Sequence, residues 1–172
     1  MNILIKSIQE CRTTCTPEVL RSIFKLIVIQ NHYQISNEVV NAFNNANKHV
    51  TWPNQWRRPV RNSFITTYMD NGLNVHLYAL RWYPGGTTVW HYHPSNMYRS
   101  CIGMNGKLHE LVVNDKPVTC VQHNVYEYSR PPKIIEINKN AWHMFSNIEP
   151  MNAYTLHLLI KKYSCNSCNS CK

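Results

Sequence analysis

His91-Tyr92-His93 is the segment of this sequence best suited to chemistry. Side chains two residues apart on a strand leave the same face, so this spacing presents two imidazoles together. The turn Tyr83-Pro84-Gly85-Gly86 precedes it, and alternation then sets Val89, His91 and His93 on one face with Trp90 and Tyr92 on the other. By itself a His-x-His pair is more commonly two surface or core histidines than a ligand set. Other candidates are weaker. Cys165, Cys168 and Cys171 have a spacing that can bind soft metals, but their tail supplies no fourth ligand and reads as a flexible end over 164–172. Arg57, Arg58 and Arg61 around Pro59 form the only dense basic run and read as a solvated loop, which makes nucleic acid an unlikely partner.

The elements that must position these residues divide the chain in two. Residues 1–50 read as helices forming an amino-terminal cap. Thr16 can cap the second of them, Pro17 fits its first position, and Leu20, Ile23, Phe24 and Ile27 make an apolar stripe. Ser36 is expected to start another, with Val39, Val40 and Phe43 on one side. A Pro- and Arg-rich connection follows over 52–61. From Phe64 the pattern changes to short β-branched and aromatic runs between turn signals. The expected strands are 64–69, 75–82, 87–93, 100–104, 107–113, 118–123, 125–128, 133–137, 143–147 and 153–160, with hairpin turns at Asp70-Asn71-Gly72 and Asn105-Gly106. The fold class is therefore mainly β, a jelly roll or closed barrel over 64–160 within a single domain of 1–163.

Composition narrows the setting. Lys and Arg total 18 against 9 for Asp and Glu, a formal charge of +9 that suits acidic partners, yet it is scattered. Seven cysteines, an odd number with three in the tail, fit a reducing compartment better than a disulfide scaffold. The first residues lack the sustained apolar stretch of a signal peptide, and no run nears the roughly 20 apolar residues of a membrane-spanning helix. A soluble, cytoplasmic monomer with no membrane partner is expected.

Two motifs carry a resemblance to the cupins. Gly85 followed after five residues by His91-x-His93 is similar to the first cupin motif, and His143 followed after three by Asn147 is similar to the end of the second. In cupins these lie on adjoining strands inside the barrel, which implies that His143 joins His91 and His93 as a metal ligand. Three neutral imidazoles can hold a divalent metal and leave positions open. Many cupins add a glutamate, but Tyr98 stands at that place here. Glu110, Glu127 and Glu136 are possible substitutes, each read as structural or solvated.

Residues 52–160 further resemble the cysteine dioxygenases, the thiol dioxygenase branch of the cupins. The resemblance rests on Trp82 to His93, on Gly106-Lys107-Leu108-His109-Glu110, on Ala141 to Asn147 and on Thr155-Leu156-His157-Leu158. It implies ferrous iron as cofactor, a small thiol and O2 as partners, and oxidation of the thiol, with L-cysteine favoured, to a sulfinic acid. It also implies His91, His93 and His143 as iron ligands, with His157, Thr155 and Tyr98 as catalytic-site residues. Two departures stand out. The cysteine and tyrosine that some members cross-link fall at Tyr98 or Arg99 and at Leu159, so no cross-link is expected. The family's carboxylate-binding arginine falls at Thr66, with Phe64 where a tyrosine is expected, leaving Arg61 and Arg81 as candidate replacements. The alternative reading is a non-catalytic metal-binding cupin acting as a sensor or interaction module.

Overall fold

The computed structural model describes residues 1–11, 15–45, 60–70, 73–113, 121–127, 132–137 and 141–162, with 60–70 described by backbone alone. Three helices come first: α1 (Asn2–Cys11), α2 (Pro17–Gln30) and α3 (His32–Asn45). Thr16 caps α2, its hydroxyl accepting from the Val19 amide at 3.4 Å, with Pro17 in the first turn. Leu20 and Phe24 are buried as expected, and Val28 completes the buried row. The third helix starts four residues before the expected Ser36. Asn31 ends α2 and accepts from the Ile35 amide, so the chain turns there without a longer break. Ser36 instead sits buried inside α3, where its hydroxyl donates to the Met104 carbonyl, and His32 Nε2 donates to the Gly103 carbonyl at 3.0 Å.

Nine strands follow: β1 (Val60–Asp70), β2 (Leu73–Trp82), β3 (His91–Tyr92), β4 (Met97–Asn105), β5 (Lys107–Val113), β6 (Gln122–Glu127), β7 (Ile134–Ile137), β8 (Trp142–Ser146) and β9 (Ala153–Lys162). They form two antiparallel sheets, of order β1-β2-β9-β4-β7 and β3-β8-β5-β6. The expected strand over 87–93 shrinks to β3 and a bridge from Thr87 to Ser146. There threonine side chains add to the backbone bond from the Thr88 amide to the Phe145 carbonyl: Thr87 Oγ1 donates to the same carbonyl at 3.0 Å, and Thr88 Oγ1 accepts from the Phe145 amide at 2.9 Å. The strands expected at 118–123 and 125–128 are one strand, β6, across their described part. The 52–59 connection, the Asn71-Gly72 turn and the tail from 163 lie outside the described residues.

The larger sheet is covered on both faces. Val75, Leu77, Ala79, Ile102, Met104, Leu156, Leu158 and Ile160 pack against Leu4, Ile8, Leu20, Phe24, Val28, Ile35, Val39 and Phe43 of the helices. The alternate residues point between the sheets, where Tyr78, Leu80, Trp82 and Cys101 meet Leu108, Tyr126 and Phe145. Among the described residues no helix is long and apolar enough to cross a membrane.

The turn between β4 and β5 needs glycine at Gly106, whose φ is +73°. A Cβ there would stand 2.6 Å from the Asn152 carbonyl oxygen and 2.9 Å from Ala153 Cα, both backbone atoms. Gly106→Ala is expected to lower unfolding free energy by about 1–3 kcal/mol, measured by urea denaturation; an unchanged midpoint would contradict this account of the turn.

Candidate metal centre

Strand pairing brings the third histidine to the first. His91 on β3 lies directly opposite His143 on β8, with ring centroids 4.3 Å apart. His93, just past the end of β3, stands 5.2 Å from His91 and 5.0 Å from His143 by ring centroid. One nitrogen from each ring falls within 4.8 Å of the others, the single cluster of this kind among the described residues. Tyr92, between His91 and His93, and Trp142, just before His143, pair with each other at 5.0 Å. Asn147 is buried and fastens the neighbouring loop, donating from Nδ2 to the carbonyls of Trp82 at 2.9 Å and Met151 at 2.8 Å.

Hydrogen bonds assign the lone pairs. His91 Nδ1 donates to the Val89 carbonyl at 2.9 Å, which leaves Nε2 free to ligate. His143 Nδ1 donates to Glu110 Oε1 at 2.6 Å, and its Nε2 is buried without a partner among the described residues. An orphaned imidazole nitrogen inside a histidine cluster, with a carboxylate behind the opposite nitrogen, is the arrangement a metal ligand requires. Glu110 accepts also from Asn124 Nδ2 at 3.1 Å and from the Tyr126 hydroxyl. Burial alone would raise its carboxyl, but the donors His143, Tyr126 and Asn124 outweigh burial and hold it below the usual carboxylate value. Burial, then neighbouring His143, pushes His91 down to about 4. Burial lowers His143 as well, and burial with the Arg99 charge lowers His93. The three rings are thus neutral at neutral pH, and the donor set fits a divalent transition metal.

Arg99 closes the inner side. It points inward from β4, opposite Leu159 of β9, and only 6% of it is exposed. Its NH1 donates to His93 Nε2 at 2.9 Å and its NH2 to His157 Nδ1 at 3.1 Å. A guanidinium has only donors, so both ring nitrogens are acceptors. His157 therefore carries its proton on Nε2 and donates to Thr155 Oγ1 at 2.7 Å, which also accepts from Trp82 Nε1 at 2.9 Å. The His157 ring stacks on Tyr78 at 5.0 Å and 3°, and burial, followed by Arg99, holds it well below the usual imidazole value. The Arg99 Nε has no acceptor, and among the described residues no carboxylate pairs with this cation.

The structure brings His91, His93 and His143 together directly, and brings Thr155 and His157 to them through Arg99. Tyr98 is a correction. Alternation turns it to the helix side of the sheet, where its ring lies beneath Arg21 at 5.7 Å and Lys162 at 5.5 Å, away from the triad. Arg81 also faces the helices, over Phe43 and Tyr83, with its NH2 on the Tyr83 hydroxyl at 2.8 Å. The side chains of Arg61, Phe64 and Thr66 lie outside the described residues. Glu127 pairs on the surface with Lys107 at 3.5 Å, and exposed Glu136 accepts from Ser100 at 2.8 Å and from Arg21. Of the three glutamates only Glu110 reaches the centre, as a partner of His143. The sequence left Glu110 as a structural or solvated residue and gave Arg99 no role at the centre. The available signal was a charged residue at an inward position of an otherwise apolar strand, legible once register is known.

Sequence comparison returns no matching family model and no matching curated protein. Solved structures do match. A predicted oxalate decarboxylase from Thermotoga maritima superposes with a TM-score of 0.50 at 8% identity, over 66% of this chain and 90% of that one. A recombinant oxalate oxidase in complex with glycolate gives 0.47 at 19% identity, over 67% of this chain, which spans 56% of the oxidase. The Cupin_2 domain of an XRE family transcriptional regulator from Enterobacter cloacae gives 0.47 at 11% identity, over 62% of this chain and 100% of that domain. The fold is the cupin jelly roll, and it carries a histidine triad suited to a metal.

Glu110→Gln is expected to weaken metal binding by about 10–100-fold, with the chain still folded, as read by calorimetric titration with Co(II). Stability should also fall with acidity. His91, His93, His143 and His157 all have lowered values when folded, so the unfolded chain takes up protons first as pH drops below 6.5. The urea midpoint of metal-free protein should decline from pH 7.5 to pH 5; a flat profile would contradict this.

Proposed function

We propose that this protein is an iron-dependent thiol dioxygenase that oxidises a small thiol, L-cysteine being favoured, to its sulfinic acid with O2. The observation that carries this reading is the placing of two complementary groups side by side: three neutral imidazoles and, bonded to one of them, a buried guanidinium without an acid partner among the described residues. A metal and a substrate carboxylate are the ligands those groups suit. His91, His93 and His143 would hold the iron, with Glu110 orienting His143. When bound, ferrous iron supplies the Lewis acidity that keeps a thiol deprotonated and the redox capacity to activate O2. Arg99 takes the role for which Arg61 and Arg81 were candidates. Its fork pairs with the carboxylate and so holds the thiol end toward the triad, while Trp82, Thr155 and His157 fix its direction. Sulfur loses four electrons and both oxygen atoms of O2 end on it, so RSH and O2 give RSO2H without another reductant.

The bond from Arg99 to His93 favours a second reading, a non-catalytic metal-binding cupin acting as a sensor or interaction module. Metal binding without oxygen uptake is its signature.

Iron-loaded protein is expected to consume O2 with cysteine and yield the sulfinic acid by mass detection. Cysteamine, which lacks the carboxylate, should be poorer by about 10–100-fold in kcat/KM, the value of a hydrogen bond to a charged group. His91→Ala should lose both iron and turnover, whereas His157→Ala should keep iron and lose about 10–100-fold in rate. No uptake with cysteine, cysteamine or a cysteine-initiated peptide would refute the enzymatic reading.

A further inference from the structure

The bond between Arg99 and His93 sets a conflict within the triad. A neutral imidazole has one nitrogen with a lone pair and one with a proton. His93 Nε2 accepts from Arg99 NH1 at 2.9 Å, so the one lone pair of that ring is spent on the guanidinium and its proton resides on Nδ1. His91 and His143 have no such conflict, because each donates from Nδ1 and keeps Nε2 for ligation. A metal therefore gains its third imidazole only when Arg99 releases His93. Release leaves a buried guanidinium with more unpaired donors, in addition to the Nε that already lacks an acceptor, and that costs free energy. A small carboxylate on the fork offsets the cost.

From this geometry we infer that Arg99 couples the two ligands of the site: a small carboxylate draws the guanidinium from His93, and the freed imidazole completes the metal site. This rests on the reading of the triad as a metal centre, and adds to it a positive linkage between metal and anion. The linkage is reciprocal, since each ligand changes the affinity of the other by the same factor. His157 takes part as a positioning residue. Its bond to Arg99 NH2 holds one arm of the fork while the other arm changes partner, so the guanidinium pivots and stays between the sheets. The device orders the site: metal is held weakly until an anionic ligand of the right size is present.

The test measures binding, without turnover. Co(II) affinity is titrated in the absence and presence of saturating propionate, with neutral propionamide as control. Propionate is expected to tighten Co(II) binding about tenfold, equivalent to about 1.4 kcal/mol, and Co(II) to tighten propionate binding by the same factor. Propionamide should have no effect. Arg99→Met should bind Co(II) about tenfold more tightly without any anion and show no response to propionate. Arg99→Gln repeats the comparison should Arg99→Met fail to fold. Metal affinity in the wild-type protein that ignores propionate overturns the proposal. So does a propionate effect of equal size in the Arg99 variants, which would mean that the carboxylate simply ligates the metal. Coupling without oxygen uptake for any thiol supports this inference and retires the dioxygenase reading alone. Oxygen uptake with anion-independent metal binding does the reverse.

Discussion

A sheet covered on both faces leaves no strand position indifferent. In β2, β4 and β9 one set of side chains meets the helices and the alternate set enters the space between the sheets. A slip of one residue would exchange Arg99 for Tyr98, and His157 for Leu156 or Leu158, at the inner face. Such a slip would put a cation among the helices and remove Thr155 and His157 from the inner face. The helices thus contribute to the site without touching it. By burying Ile102, Met104, Leu156 and Leu158, they hold the register that turns Arg99, Thr155 and His157 inward.

The charges in that interior are treated unequally. Glu110 is buried but accepts from His143, Asn124 and Tyr126, so its negative charge is stabilised by donors that the fold supplies. Arg99 is also buried, and among the described residues it meets two neutral imidazoles and the face of the Phe145 ring but no carboxylate. Taking an ion from water is costly unless a partner of opposite charge compensates it. One charge is therefore compensated within the protein and the other is left with capacity for an external anion. The asymmetry also organises the histidines: the carboxylate behind His143 frees a lone pair toward the centre, while the guanidinium beside His93 occupies one.

Part of this was legible along the chain. The capped second helix and the Asn-Gly hairpin are local patterns, governed by backbone capping and left-handed turn geometry, and they stand where they were expected; the His-x-His pair does face the third histidine, although only His91 of it lies in the strand. Boundaries were less secure where side-chain bonds mix with backbone ones, as at Thr87 and Thr88, or where one helix follows another across a single residue at Asn31.

The sequence by itself determined the two-part architecture and the residue types able to hold a metal, because periodicity and spacing are properties of neighbouring residues. Only the tertiary structure decided which charged side chains share the centre. Glu110 and Arg99 are distant in sequence from His143 and His157, and their identity as inward residues depends on the register of β5 against β8 and of β4 against β9. Tyr98 and Arg99 differ by one position, and a linear pattern rich in apolar residues on both faces does not say which of them turns in. The packing of helices on one side of the sheet settles it.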